Sequence, residues 1–110
     1  MPVPDAIKDF IENAKRLGSD GLTVSEFGEL LMSLLKLAVQ IADGYQNSGA
    51  EKKLWVLNLV GVLFDEVADG LVPIYLKPFW LMFRSGVRAL VISLASGAIE
   101  SILPLVRAAA

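Results

Sequence analysis

Asp65, Glu66 and Asp69 bring three carboxylates together at the end of an apolar stretch, the one acidic cluster of this chain beside apolar sequence. Paired carboxylates can pass protons or hold a hard cation. Here they fall where a helix C-terminus is expected, and the helix dipole disfavours negative charge at that end. The chain has no histidine and no cysteine, which removes Ser–His dyads, thiolate nucleophiles and the commonest zinc sites. A second string, Ser19-Asp20-Gly21-Leu22-Thr23 through Glu26-Phe27, has the outline of the end of a calcium loop. Setting Glu26 as its last ligand puts Lys15 and Leu17 at positions that need oxygen donors, so a turn followed by a helix cap explains the string better. The residues point to no enzyme, no metal, no cofactor and no small-molecule substrate.

The other candidate residues are suited to association. Ser85, Ala89, Ser93, Gly97 and Ser101 recur every four positions and are all small. On a helix they form a strip along which a second helix backbone can approach closely, as in membrane helix pairs; soluble helices use small residues at crossings too. Val87, Leu90, Val91, Leu94, Ile99 and Ile102 lie elsewhere on that helix, suited to lipid or to a core. Upstream, Tyr75, Phe79, Trp80 and Phe83 gather near Lys77, Arg84 and Arg88. Aromatic rings beside basic groups make a membrane-interface belt or a partner-binding surface, and they equally fill a core. Arg84 and Arg88 share a helix face and can pair with Asp65, Glu66 and Asp69 if the last two helices form an antiparallel hairpin, or they form a solvated rim.

These residues sit on four expected helices. Residues 4–17 open with Pro4 and acidic Asp5 and Asp9, and place Ile7, Phe10, Ile11, Ala14 and Leu17 at helical spacing. Gly18-Ser19-Asp20-Gly21 breaks that helix. Residues 23–45 start with a capping box, Thr23 to Glu26. Phe27, Leu31, Leu34, Ala38 and Ile41 then alternate steps of four and three, the pattern of an oligomer seam. Residues 50–69 follow a second box, Ser48 to Glu51, and are apolar nearly all round, with Val56, Val60, Leu63 and Val67 in line. Residues 71–78, between Pro73 and Pro78, read as an extended apolar connector. Residues 79–103 form the last helix, which Pro104 stops or kinks.

Composition adds the setting. Of 110 residues 55% are apolar, more than a domain this small readily buries, so apolar surface is expected to meet another subunit or lipid. The net charge is -2, which disfavours nucleic acid. No cleavable secretory signal is read at the N-terminus. The longest charge-free runs, 54–64 and 89–99, are eleven residues each, too short for a simple membrane span.

The succession Asp20-Gly21-Leu22-Thr23…Glu26, a leucine-rich helix, Gly49-Ala50-Glu51-Lys52-Lys53 and a second apolar helix is similar to small helical proteins of phages and large DNA viruses, some of them holin-like. The likeness spans residues 20–72. It implies association with a membrane or the inner side of a virion shell. The expectation is an all-α fold of four helices in one domain, the second and third an antiparallel hairpin, the last packed through its small-residue strip. The expected function is a self-associating structural protein on a membrane or virion shell, with lipid or an assembly protein as partner; the alternative is a soluble helical adaptor for one protein partner.

Overall fold

Thr23 lies in extended conformation and its side chain accepts the Glu26 N–H, while the Glu26 carboxylate accepts the Thr23 N–H at 3.1 Å. Two of the otherwise unpaired amides that begin a helix are thereby satisfied. The helix that follows is Val24–Asp43 (α2), and the one before it is Asp5–Ser19 (α1). The third, Gly49–Val67 (α3), begins at Ser48, whose hydroxyl accepts the Glu51 N–H at 3.2 Å. Only half of the expected second box forms there, because the Glu51 carboxylate takes the Asn47 amide and the Ser48 hydroxyl instead. A fourth helix, Lys77–Ala109 (α4), completes an all-α chain. The computed structural model describes residues 2–19 and 21–109, and their side chains except those of 74 and 102–109. Asp20 of the expected turn and the Ile102 side chain of the last helix lie outside the described residues.

α3 is the central element: it meets α1, α2 and α4, whereas among the described residues the backbones of α1 and α4 do not come close. Its all-round apolar sequence is the cause, since Trp55, Val56, Leu59, Val60, Leu63, Phe64 and Val67 are all buried. Phe27 at the start of α2 packs edge-on against Phe64 near the end of α3, and Tyr45 beyond α2 packs edge-on against Trp55 near the start of α3. The two contacts run in opposite order along the two helices. The seam expected to join subunits is used inside the chain. Phe27, Leu34 and Ala38 are buried, and Leu31 and Ile41 pack half-buried on the same core. An apolar neighbour was already available in α3, so no second copy is needed to cover that face. Leu17, by contrast, is exposed at the end of α1.

Two backbones meet closely at the junction of α1 and the segment after α3. The Leu22 N–H donates to the Gly70 carbonyl at 3.0 Å, and a Cβ on Gly70 would lie 2.5 Å from the Gly18 oxygen. Gly21, at φ +99°, turns the chain toward α2 where an ordinary residue would be strained.

The connector to α4 is not extended throughout, as the prolines suggested. α3 ends at Val67 and continues as a 3₁₀ turn, Ala68–Leu71; extended Val72 and then Pro73 lead to a second turn, Ile74–Leu76. Pro73 starts that second turn by accepting the Leu76 N–H through its carbonyl, and Pro78 falls in the first turn of α4, where a missing N–H costs nothing. α4 therefore begins at Lys77, earlier than expected, and runs on through Pro104 to Ala109.

The core predicts unequal sensitivities. Phe64→Ala is expected to lower unfolding stability by about 3–5 kcal/mol through lost contact and a cavity, and Thr23→Ala by about 0.5–2 kcal/mol. Exposed Leu54→Ala should change it by less than about 0.5 kcal/mol. Urea denaturation followed by helical circular dichroism measures all three.

Candidate functional site

The acidic trio closes the far end of α3, and each of its members has a partner. Asp65 receives Arg88 Nε at 3.0 Å and Arg84 at 3.4 Å; Asp69 receives the Trp80 indole N–H at 2.7 Å and Arg84 Nε at 3.3 Å. Glu66 turns the other way, to Lys15 of α1 at 3.1 Å, so it takes no part in the pairing expected with the arginines. Lys77 donates to the Asp69 carbonyl at 2.6 Å. At the other end of the hairpin Lys53 meets Glu100 at 2.9 Å. With Asp65 against Arg88 and Asp69 against Arg84, these pairs are those of antiparallel neighbours.

Beneath the charges, Trp80 rests against the Phe64 ring at 6.0 Å, and the Arg84 guanidinium lies over the same ring at 5.4 Å. Gly61 leaves a notch in α3 that the Arg88 guanidinium occupies, and a Cβ there would overlap it. The carboxylates are thereby committed. The Trp80 N–H holds the Asp69 carboxyl below the usual carboxylate range, against an opposing push from partial burial, with Arg84 and Lys77 adding to the lowering. The hydrogen bond and charge of Glu66 hold the Lys15 ammonium above its usual value. Among the described residues no three acidic side chains are grouped so as to hold a metal ion.

Pairing of this kind fixes the rotation of α4 about its axis. Arg84 and Arg88 face α3 and α2, and with them go Val87, Val91, Ile92, Ala95 and Ile99, of which Ala95 and Ile99 are buried. The opposite face is bare. Phe79, Leu81, Met82, Phe83, Leu90 and Leu94 are each between 58% and 74% exposed, continuing from Tyr75 and Leu76 in the connector. Of the thirteen large apolar side chains exposed among the described residues, eight lie in this one segment. From Pro78 to Gly97 no exposed residue of α4 is charged.

The expected site residues divide along that line. Tyr75, Phe79 and Phe83 lie outside, whereas Trp80, Arg84 and Arg88 are turned into the bundle. The small-residue strip is not where α4 packs: Ser85, Ala89, Ser93, Gly97 and Ser101 are all exposed, and a Cβ on Gly97 would meet nothing within 4 Å. The arginines and their aliphatic neighbours occupy the packed face instead, because they have partners on α3 and the strip has none. Met82 belongs to the bare face, and Leu81 is exposed at the start of α4 although it lies on the side of Arg84; neither stood out in the sequence. Two residues before Arg84 is half a turn from it, and that spacing was the signal for Met82.

Lys77–Ser101 is long and apolar enough to cross a membrane, and 11% of its most apolar stretch is buried within the chain. The short charge-free runs concealed this, because Arg84 and Arg88 interrupt an otherwise apolar helix. Comparison with protein families, with curated proteins and with solved structures found no match.

The lowered Asp69 pKa fixes the sign of an acid effect. A carboxylate held below its unfolded value contributes stability above that value and loses it as pH falls through the folded one. Stability should therefore decline as pH drops below 3.8, the ordinary value for this group. Asp69→Asn should flatten that decline while leaving the helix content at neutral pH in place. Thermal unfolding across an acid pH series measures it.

Proposed function

We propose that this chain is a non-enzymatic structural protein that attaches to a membrane through the outer face of α4. The carrying observation is the charge-free apolar face from Tyr75 to Gly97, opposite a face on which Arg84 and Arg88 are paired with Asp65 and Asp69. In a soluble amphipathic helix the order is reversed, with charges toward water and apolar groups toward the core. An exposed patch of this extent is the mark of a contact surface. A fully buried Leu, Met or Phe side chain is worth roughly 1.5–3 kcal/mol, so several entering lipid together outweigh the ordering of one helix.

Two further features support a non-catalytic role. The acidic trio is engaged by Arg84, Arg88, Trp80 and Lys15, which leaves no paired carboxylates poised for proton transfer. A cleft bounded by Val39, Ala42, Val56 and Ile99 is lined mostly by aliphatic carbon, with Asp43, Lys52 and Lys53 also on its wall. The likeness to holin-like viral proteins is not needed for this reading, and neither is a virion.

One observation favours the second reading, a soluble adaptor or self-associating module. Ala89, Ser93 and Gly97 cross the same exposed face, where another helix could approach closely. Vesicle flotation separates the two. The chain should float with phosphatidylcholine vesicles, and Phe79→Ser combined with Phe83→Ser should reduce the floated fraction at least about tenfold, as the loss of two anchors implies. Leu54→Ser, on the exposed side of α3, should leave it unchanged. A chain that stays in the soluble fraction and behaves as a defined oligomer by light scattering would establish the adaptor reading instead.

A further inference from the structure

Resting on the membrane reading, we infer that α4 lies in the plane of the bilayer and does not cross it, and that apolar insertion rather than lipid headgroup charge holds it there. The length and composition of Lys77–Ser101 would permit a span. Its charges oppose one. Arg88 is the twelfth of those 25 residues, one position before the middle, so a crossing helix would carry a guanidinium to the centre of the hydrocarbon. Arginine there is among the costliest placements in a membrane.

Crossing also requires α4 to leave its neighbours. Its inner face packs on both α2 and α3, whose other surfaces expose Glu26, Glu29, Lys36 and Glu51 to water. Separation would strip Arg88 from Asp65 and Arg84 from Asp69, and would uncover Phe64 where Trp80 rests on it. An in-plane helix avoids all of this. Its outer face enters the boundary between headgroups and acyl chains, and the bundle of α1–α3 stays in water on the other side.

A second copy fits the surface less well. Two helices crossing at Ala89, Ser93 and Gly97 diverge from that point. Leu81 and Met82 lie eleven to twelve residues from Ser93, about 18 Å along the axis at 1.5 Å per residue, so such a crossing leaves the aromatic end bare. A bilayer covers the whole face at once.

The charge pattern sets the kind of lipid surface. Interfacial helices commonly hold anionic headgroups with free lysines and arginines along their polar face. Here Arg84 and Arg88 are paired with the Asp65 and Asp69 carboxylates, and the Lys77 ammonium donates to the Asp69 backbone carbonyl. Residues 1–76 add no attraction, since they hold eleven acidic and six basic residues. An uncharged, zwitterionic surface is therefore sufficient.

Because the chain has no cysteine, a single introduced thiol is a unique label site. Met82→Cys, Ala89→Cys and Gly97→Cys, all on the outer face of the full chain, would each carry a nitroxide. Depth is then read from its accessibility to oxygen and to a water-soluble nickel complex, on phosphatidylcholine and on phosphatidylglycerol vesicles at low and high salt. The expected result is the same shallow depth at all three positions. Binding to the two lipids should agree within about twofold and be insensitive to salt, since no counterions are released. A depth maximum at Ala89 would show that α4 spans and would overturn this inference while the membrane reading stood. Binding confined to phosphatidylglycerol and lost in salt would overturn its charge argument. Absence of binding to either vesicle would remove the membrane reading itself.

Discussion

The capture of Arg84, Arg88 and Trp80 by Asp65 and Asp69 decides which way the last helix faces, and the surface of the molecule follows from that. α4 is apolar around most of its circumference, so burial alone would accept several rotations about its axis. The carboxylates at the end of α3 accept only the one that brings both guanidiniums and the indole N–H to them. Each exposed ion pair contributes little by itself, about 0–1 kcal/mol. Their joint geometry is directional where packing is not, and a half-turn of α4 would leave two arginines in water and both aspartates unpaired. Phe64 strengthens the same choice by offering its ring to Trp80 and Arg84 while also meeting Phe27 edge-on.

Much of the architecture could be read in the sequence because its signals are local. Thr23 and Glu26 mark a helix start by hydrogen bonds that span three residues, and Gly18 to Gly21 mark a break by backbone freedom. The all-round apolar character of 54–64 foretold a helix covered on several sides, which is the place α3 takes. What was not legible is the partner of each apolar face. Phe27, Leu31, Leu34, Ala38 and Ile41 have the spacing of a seam whether the facing helix belongs to the same chain or another. The strip from Ser85 to Ser101 fits close packing, lipid or water equally well, because small side chains exclude none of them. Arg84 and Arg88 held the missing information. A charge has few acceptable neighbours, and theirs were visible as an acidic cluster one helix earlier.

Prolines misled for a related reason. Pro73 and Pro78 lack a donor, and a proline-bounded segment is commonly extended. Yet each occupies the start of a helical element, where no donor is required. The connector is consequently two short turns separated by Val72 and Pro73, and it returns the chain along α3 at once. That return places Lys77 and Trp80 beside Asp69.

The meeting of Gly18 and Gly70 gives the molecule a mechanical property. Backbone lies against backbone there, and the Leu22 amide is bonded to the Gly70 carbonyl, so the turn between α1 and α2 and the segment leading to α4 are joined without a compliant side chain between them. A tug on the beginning of α4 is thus delivered to the root of α2 as through a stiff strut. Although the backbones of α1 and α4 do not come close among the described residues, a load on α4 is shared by the opposite side of the bundle.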